Sequence, residues 1–143
     1  MSSKNKKMIA ETMLLAPVIA LFYYCTENIV EFNGSEGKSM EPTLKDNSTI
    51  VIDKIFYKFT GLQHNDIIIA KSPVKPDLTI CKRVKKLENE EQDGIKIPKN
   101  HIWIEGDNKS HSFDSRDHGP LPTHLVKGRL FMSFYPFRLY PNY

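Results

Sequence analysis

Between residues 48 and 134 the chain is a succession of short β-type runs, at 48–53, 54–59, 66–70, 78–86, 95–97, 101–105 and 125–134, with little helical periodicity to compete. Turn chemistry separates them: Lys45-Asp46-Asn47, Thr60-Gly61, Pro73 with Pro76, Asp93-Gly94, and a long polar loop from Gly106 to Pro122. Strands this short are stable only when paired into a sheet with a buried face. The expected fold is therefore mainly β, built of small twisted antiparallel sheets. A length of 143 residues leaves room for one such domain and a tail. The acidic stretch Glu88, Glu90, Glu91 and Asp93 reads as a solvated loop.

The N-terminus has a different character. Lys4, Lys6 and Lys7 precede an apolar stretch that starts at Met8, is interrupted by Glu11 and Thr12, and ends at Cys25. Its length suits a signal sequence, a buried helix or a short anchor. Phe22, Tyr23 and Tyr24 stand where a cleaved leader needs small residues, so an uncleaved membrane-anchoring helix is expected. Tyr23 and Tyr24 suit a membrane interface, and Pro17 is tolerated in a membrane helix. Lysines before the stretch and Glu27, Glu31 and Glu36 after it put the short N-terminus on the matrix-like or cytoplasmic side. The alternative is an interfacial or buried helix. The expected division is a tail and anchor over 1–30 and a β domain over 31–143.

Charge and cysteine content exclude several functions. Twenty basic residues against 17 acidic ones, a net of +3, is too even for a protein that neutralises phosphates, so no nucleic-acid partner is expected. In 82–86 strand alternation splits the basic residues between two faces, which argues against a nucleic-acid patch there. Two cysteines, Cys25 and Cys81, make no disulfide framework. His111, His118 and His124 with Asp107 or Asp114 match no metal-ligand spacing, so neither metal nor cofactor is expected.

Three segments could carry chemistry. The loop 34–43 holds Ser39 behind Gly34 and Gly37, glycines that let backbone N–H groups approach a reacting carbonyl. It lacks the last glycine of a nucleophile elbow, and Ser35-Glu36-Gly37-Lys38 has the Ser-x-x-Lys spacing without its companions. An ordinary turn serine is the competing reading. In 78–86, alternation puts Leu78, Ile80, Lys82 and Val84 on one face and Arg83 and Lys85 on the other. A lysine against apolar surface loses its preference for the charged form, and a shift of ~3 units, about 4 kcal/mol, makes it a base near neutrality. The competing reading is a snorkelling lysine on an edge strand. The third segment is the loop after Ile102-Trp103-Ile104, where Ser112, Asp114 and Arg116 can form a buried polar network or a solvated surface. His111 or His118 could also complete a Ser-His-Asp triad with Ser39.

Together, Ser39-Met40-Glu41-Pro42-Thr43-Leu44, Lys82-Arg83-Val84, and Gly106-Asp107-Asn108 with Ser112-Phe113-Asp114-Ser115-Arg116 resemble the boxes of the type I signal peptidases, in family order over residues 35 to 130. Ile68-Ile69-Ala70-Lys71-Ser72-Pro73, Cys81-Lys82-Arg83-Val84 and the short C-terminal region are most similar to mitochondrial inner-membrane members of that family. The resemblance implies Ser39 as nucleophile, Lys82 as general base and Ser112 as the hydroxyl that orients the lysine. It implies Asp107, Asp114 and Arg116 as salt-bridging supports with Arg83 as a partner, and an oxyanion hole at the Ser39 N–H. Gly37 stands where some relatives carry a serine donor, so backbone donors are expected to hold the oxyanion. It further implies an endopeptidase for preproteins with sorting presequences, anchored in the mitochondrial inner membrane, facing the intermembrane space and paired with a homologous second subunit. A non-catalytic stabilising partner of such a complex is the alternative. The segment after Lys86 departs from the Gly-x-Pro-Gly-Asp turn usual in the family.

Overall fold

The computed structural model describes residues 13, 15–21, 23, 24, 30–35, 37–134 and 137–140. Among the described residues there are ten strands: β1 (Val30–Ser35), β2 (Ser48–Asp53), β3 (Ile67–Lys71), β4 (Thr79–Lys86), β5 (Glu91–Gln92), β6 (Ile95–Lys96), β7 (His101–Glu105), β8 (Leu121–Pro122), β9 (Val126–Phe134) and β10 (Phe137–Leu139). One antiparallel path runs β1-β2-β9-β3-β4-β7-β8, with β10 added beside β9, and β5 and β6 form a separate hairpin. The mainly β expectation is met.

The placement of β3 at the centre follows from its sequence. Ile67-Ile68-Ile69-Ala70 is apolar at every position, as a strand covered on both faces must be. Ile68 and Ala70 join one core with Val84, Ile102, Ile104 and Leu121. Ile67 and Ile69 face a second core with Met40, Leu44, Ile50, Ile52 and Leu130. Each fully buried aliphatic side chain contributes about 1.5–3 kcal/mol. The second core matters for the site, because Met40 and Leu44 lie in the segment just after Ser39.

Residues 54–59 do not form the expected strand. Phe56–Thr60 is a short helix, α1. Asp53 ends β2 and its carboxylate accepts from the N–H groups of Ile55 (3.0 Å), Phe56 (2.7 Å) and Tyr57 (2.9 Å), a cap that starts a helical turn. Tyr57 alone turns inward, its hydroxyl donating to the Val126 carbonyl at 3.1 Å, while Phe59 is 83% exposed. The acidic loop after Lys86 is also more ordered than expected. β5 and β6 are joined by Asp93 and Gly94 at φ of 51° and 78°, the two positive values that a tight hairpin turn requires. Within the long polar loop, Ser115–His118 forms a second helix, α2, whose first turn is closed by reciprocal bonds between Asp114 and Asp117.

The described residues between 13 and 24 are helical and their apolar side chains are exposed, Met13 at 72% and Tyr23 at 66%. Among the described residues no helix is long and apolar enough to cross a membrane. Lys4, Lys6, Lys7, Cys25, Glu27 and Glu36, on which the predicted anchor and its orientation also rest, lie outside the described residues.

Candidate active site

Ser39 sits in a single 3-10 turn, Lys38–Met40. Gly37 enters it at φ 99°, a backbone conformation that a side chain would strain, and its N–H donates to Asp46 Oδ1 at 2.8 Å. Immediately after, Met40 and Leu44 are buried in the second core and the Leu44 N–H donates to the Met40 carbonyl at 2.9 Å. The serine is thus a half-buried residue on a loop clamped at both ends. Its carbonyl accepts from the Asn108 N–H at 2.9 Å, which ties it to the loop after β7.

Lys82 lies mid-way along β4 and is only 4% exposed. Ile80, Lys82 and Val84 share a face as alternation requires, whereas Leu78 precedes the strand and is exposed. Burial pushes the Lys82 amine below the ordinary lysine value, and the nearby Asp114 charge only partly offsets this. Ser39 and Lys82 line the same cleft, a cavity of about 390 Å³ walled further by Val74, Leu78, Ile80 and Phe113. The neighbouring Cys81 thiol is pushed up to about 12 by burial, so it stays protonated and is no rival nucleophile at neutral pH.

The polar box forms a buried network rather than a solvated surface. Asp114 is fully buried and accepts from Gly106 N–H at 2.8 Å, Ser112 Oγ at 2.5 Å, and Arg116 Nε and Nη2 at 2.9 and 2.8 Å. Burial alone would raise its pKa, but these hydrogen bonds outweigh it and hold the carboxyl well below the usual range. Arg83, pointing to the other side of β4 from Lys82, makes a two-pronged bond to Asp107 at 2.8 and 2.7 Å, and donates to the Asn65 carbonyl at 2.9 Å. The ion pairs formed here are Asp107–Arg83 and Asp114–Arg116, so Asp114 and Arg116 of the box pair with each other.

Gly106 joins these parts. A Cβ there would lie 2.6 Å from the Ser39 carbonyl oxygen and nearer still to Ser112. Two residues outside the sequence-based set also contribute. Ser72 Oγ accepts from the Val74 and Lys75 N–H groups at 3.3 and 3.2 Å, shaping the turn that forms one cleft wall. Thr43 contacts Arg83 Nη2 at 3.5 Å. The turn signal of Pro73 with Pro76 was visible in sequence, but the position of this turn beside the cleft follows only from the pairing of β3 with β4.

The histidines separate clearly. His111 is exposed and contacts Ser110 and Asn108. His124 is exposed as well, and only His118 of the three lines the cleft. Among the described residues no three ligand-type side chains gather as a metal site.

Residues 7–88 and 84–135 match the family described as signal peptidase, peptidase S26, and the chain belongs to that family. Similar proteins include mitochondrial inner membrane protease subunit 1 of Mus musculus, 41% identical over 111 residues covering 71% of this chain and 67% of that protein. The Homo sapiens subunit 1 is 41% identical over 110 residues, covering 70% and 66%. Subunit 2 of Saccharomyces cerevisiae is 31% identical over 150 residues, covering 94% and 85%. The chain thus spans about two thirds of the length of the mouse and human relatives.

Proposed function

We propose that this chain is a serine endopeptidase in which Ser39 attacks the scissile carbonyl and neutral Lys82 accepts its proton. The observation that carries the reading is a buried lysine with a depressed pKa in a cleft that Ser39 also lines. As the Ser39 Oγ–carbon bond forms, the proton moves to the Lys82 amine, and the oxyanion is held by the Ser39 N–H. Lys82 then gives that proton to the leaving amine as the peptide C–N bond breaks. Water, deprotonated by the same amine, hydrolyses the acyl-enzyme and restores Ser39. The Ser112 hydroxyl donates its hydrogen bond to Asp114, so its oxygen is left to accept from a Lys82 N–H, which aims the amine's lone pair elsewhere. The Gly37 N–H is engaged by Asp46, so Gly37 serves the site through its backbone conformation.

The relatives' names support a protease of the mitochondrial inner membrane; the substrates in this reading are preproteins with sorting presequences, cleaved on the intermembrane-space side. The subunit 1 and subunit 2 names support a heterodimer with a homologous second chain. The exposed apolar helix within 13–24 supports residues 1–30 as the bilayer anchor and 31–143 as the catalytic domain. A Ser-His-Asp reading has one observation in its favour, the presence of His118 in the cleft, but among the described residues no carboxylate orients that ring.

The test is cleavage of a membrane preprotein by the full chain, followed by mass spectrometry. Ser39→Ala and Lys82→Met are each expected to lower the rate at least ~10³-fold. Wild-type turnover by Ser39→Ala would overturn the proposal, and full preprotein maturation by that variant in cells lacking the protein would mark a non-catalytic partner.

A further inference from the structure

His118 ends α2 and lines the cleft beside Ser39 and Lys82. Both ring nitrogens are buried, and neither has a hydrogen-bond partner among the described residues. A neutral imidazole carries one donor and one acceptor, and leaving both unmatched in a protein interior is unfavourable. Unpaired buried polar groups of this kind are uncommon, and a functional role is one of the recognised reasons for them.

The ring is positioned by packing: it meets the exposed Phe113 ring at 5.7 Å between centroids, tilted by 54°. Rotation about Cβ–Cγ is a soft torsion, and here it breaks no hydrogen bond. A turn of the ring that presents a nitrogen to the cleft therefore sacrifices no hydrogen bond. The cleft it lines is walled largely by apolar Val74, Leu78, Ile80 and Phe113, with Thr79 and Lys75 as further polar groups beside the Ser39 and Lys82 pair. In a largely apolar cleft an unpaired hydrogen-bonding group discriminates between ligands that match it and ligands that do not.

The geometry points to His118 as a specificity-determining residue: its ring hydrogen-bonds a hydroxyl or carboxamide side chain of the bound polypeptide close to the scissile bond. The inference rests on the Ser39 and Lys82 cleft being the substrate cleft, and its test reads binding rather than turnover. The full chain carrying Ser39→Ala is titrated with fluorescein-labelled eight-residue Gly/Ala peptides that hold Asn, Leu, Thr or Val at one position in turn. At one position, the Asn and Thr peptides are expected to bind about tenfold more tightly than their Leu and Val counterparts. Adding His118→Phe should bring that ratio close to one, whereas His118→Gln, which keeps a donor and an acceptor, should retain most of it. A ratio unchanged by His118→Phe, ratios near one at every position, or peptides that do not bind would overturn the inference. Failure of the Ser39 and Lys82 reading shows separately, as undiminished preprotein cleavage by Ser39→Ala.

Discussion

Lys82 trades stability for reactivity. Its folded pKa lies below the unfolded value, so the unfolded chain binds the extra proton between the two. The fold is penalised at every pH below the folded pKa, and the penalty disappears as pH rises through it towards the ordinary lysine value of about 10.4. Lys82→Met is therefore expected to raise the melting temperature at pH 6 and to lose that advantage near pH 10, as calorimetry at both pH values would show. Asp114 has the opposite sign. Its depressed pKa contributes stability that is fully present above the ordinary carboxylate value of 3.8 and is lost as pH falls from there through the folded value. Asp114→Asn removes the charge facing Arg116 and is expected to cost about 3 kcal/mol in urea unfolding at pH 7, with a smaller difference below pH 3.

At the scale of elements, the site depends on how closely the loop after β7 approaches the Ser39 turn. Gly106 has no room for a methyl group between Ser112 and the Ser39 carbonyl. Gly106→Ala should leave the circular-dichroism spectrum intact while reducing kcat/KM about 10²-fold, the effect of displacing a reacting group by about 1 Å. The same scale separates what was legible in the sequence from what was not. The apolar run of β3 and the alternation of β4 were legible because each reports a strand's own faces, and alternation alone singles out Lys82. Residues 54–59 misled because Phe-Tyr-Lys-Phe carries β propensity, while the Asp53 cap that overrides it is a three-dimensional arrangement. The grip of Asp46 on Gly37 and the unpaired ring of His118 were illegible for a similar reason: both depend on distances that local patterns do not encode.

For the whole molecule, the exposed apolar helix within 13–24 and the β domain make separable contributions under the proposed function. The full chain is expected to float with liposomes in a density gradient. A chain lacking residues 1–30 should remain at the bottom and still cleave a soluble peptide, and its flotation with the vesicles would refute the anchor assignment. The central claim is that the Lys82 amine is neutral when it acts. It is tested most directly by following the Lys82 side chain by NMR in protein labelled at lysine Cε, alongside kcat/KM, across pH 5 to 11. The account predicts that the ascending limb of activity coincides with the Lys82 titration, at a midpoint below about 10.4. Full activity at pH 7 with Lys82 still protonated beyond pH 10 would contradict it.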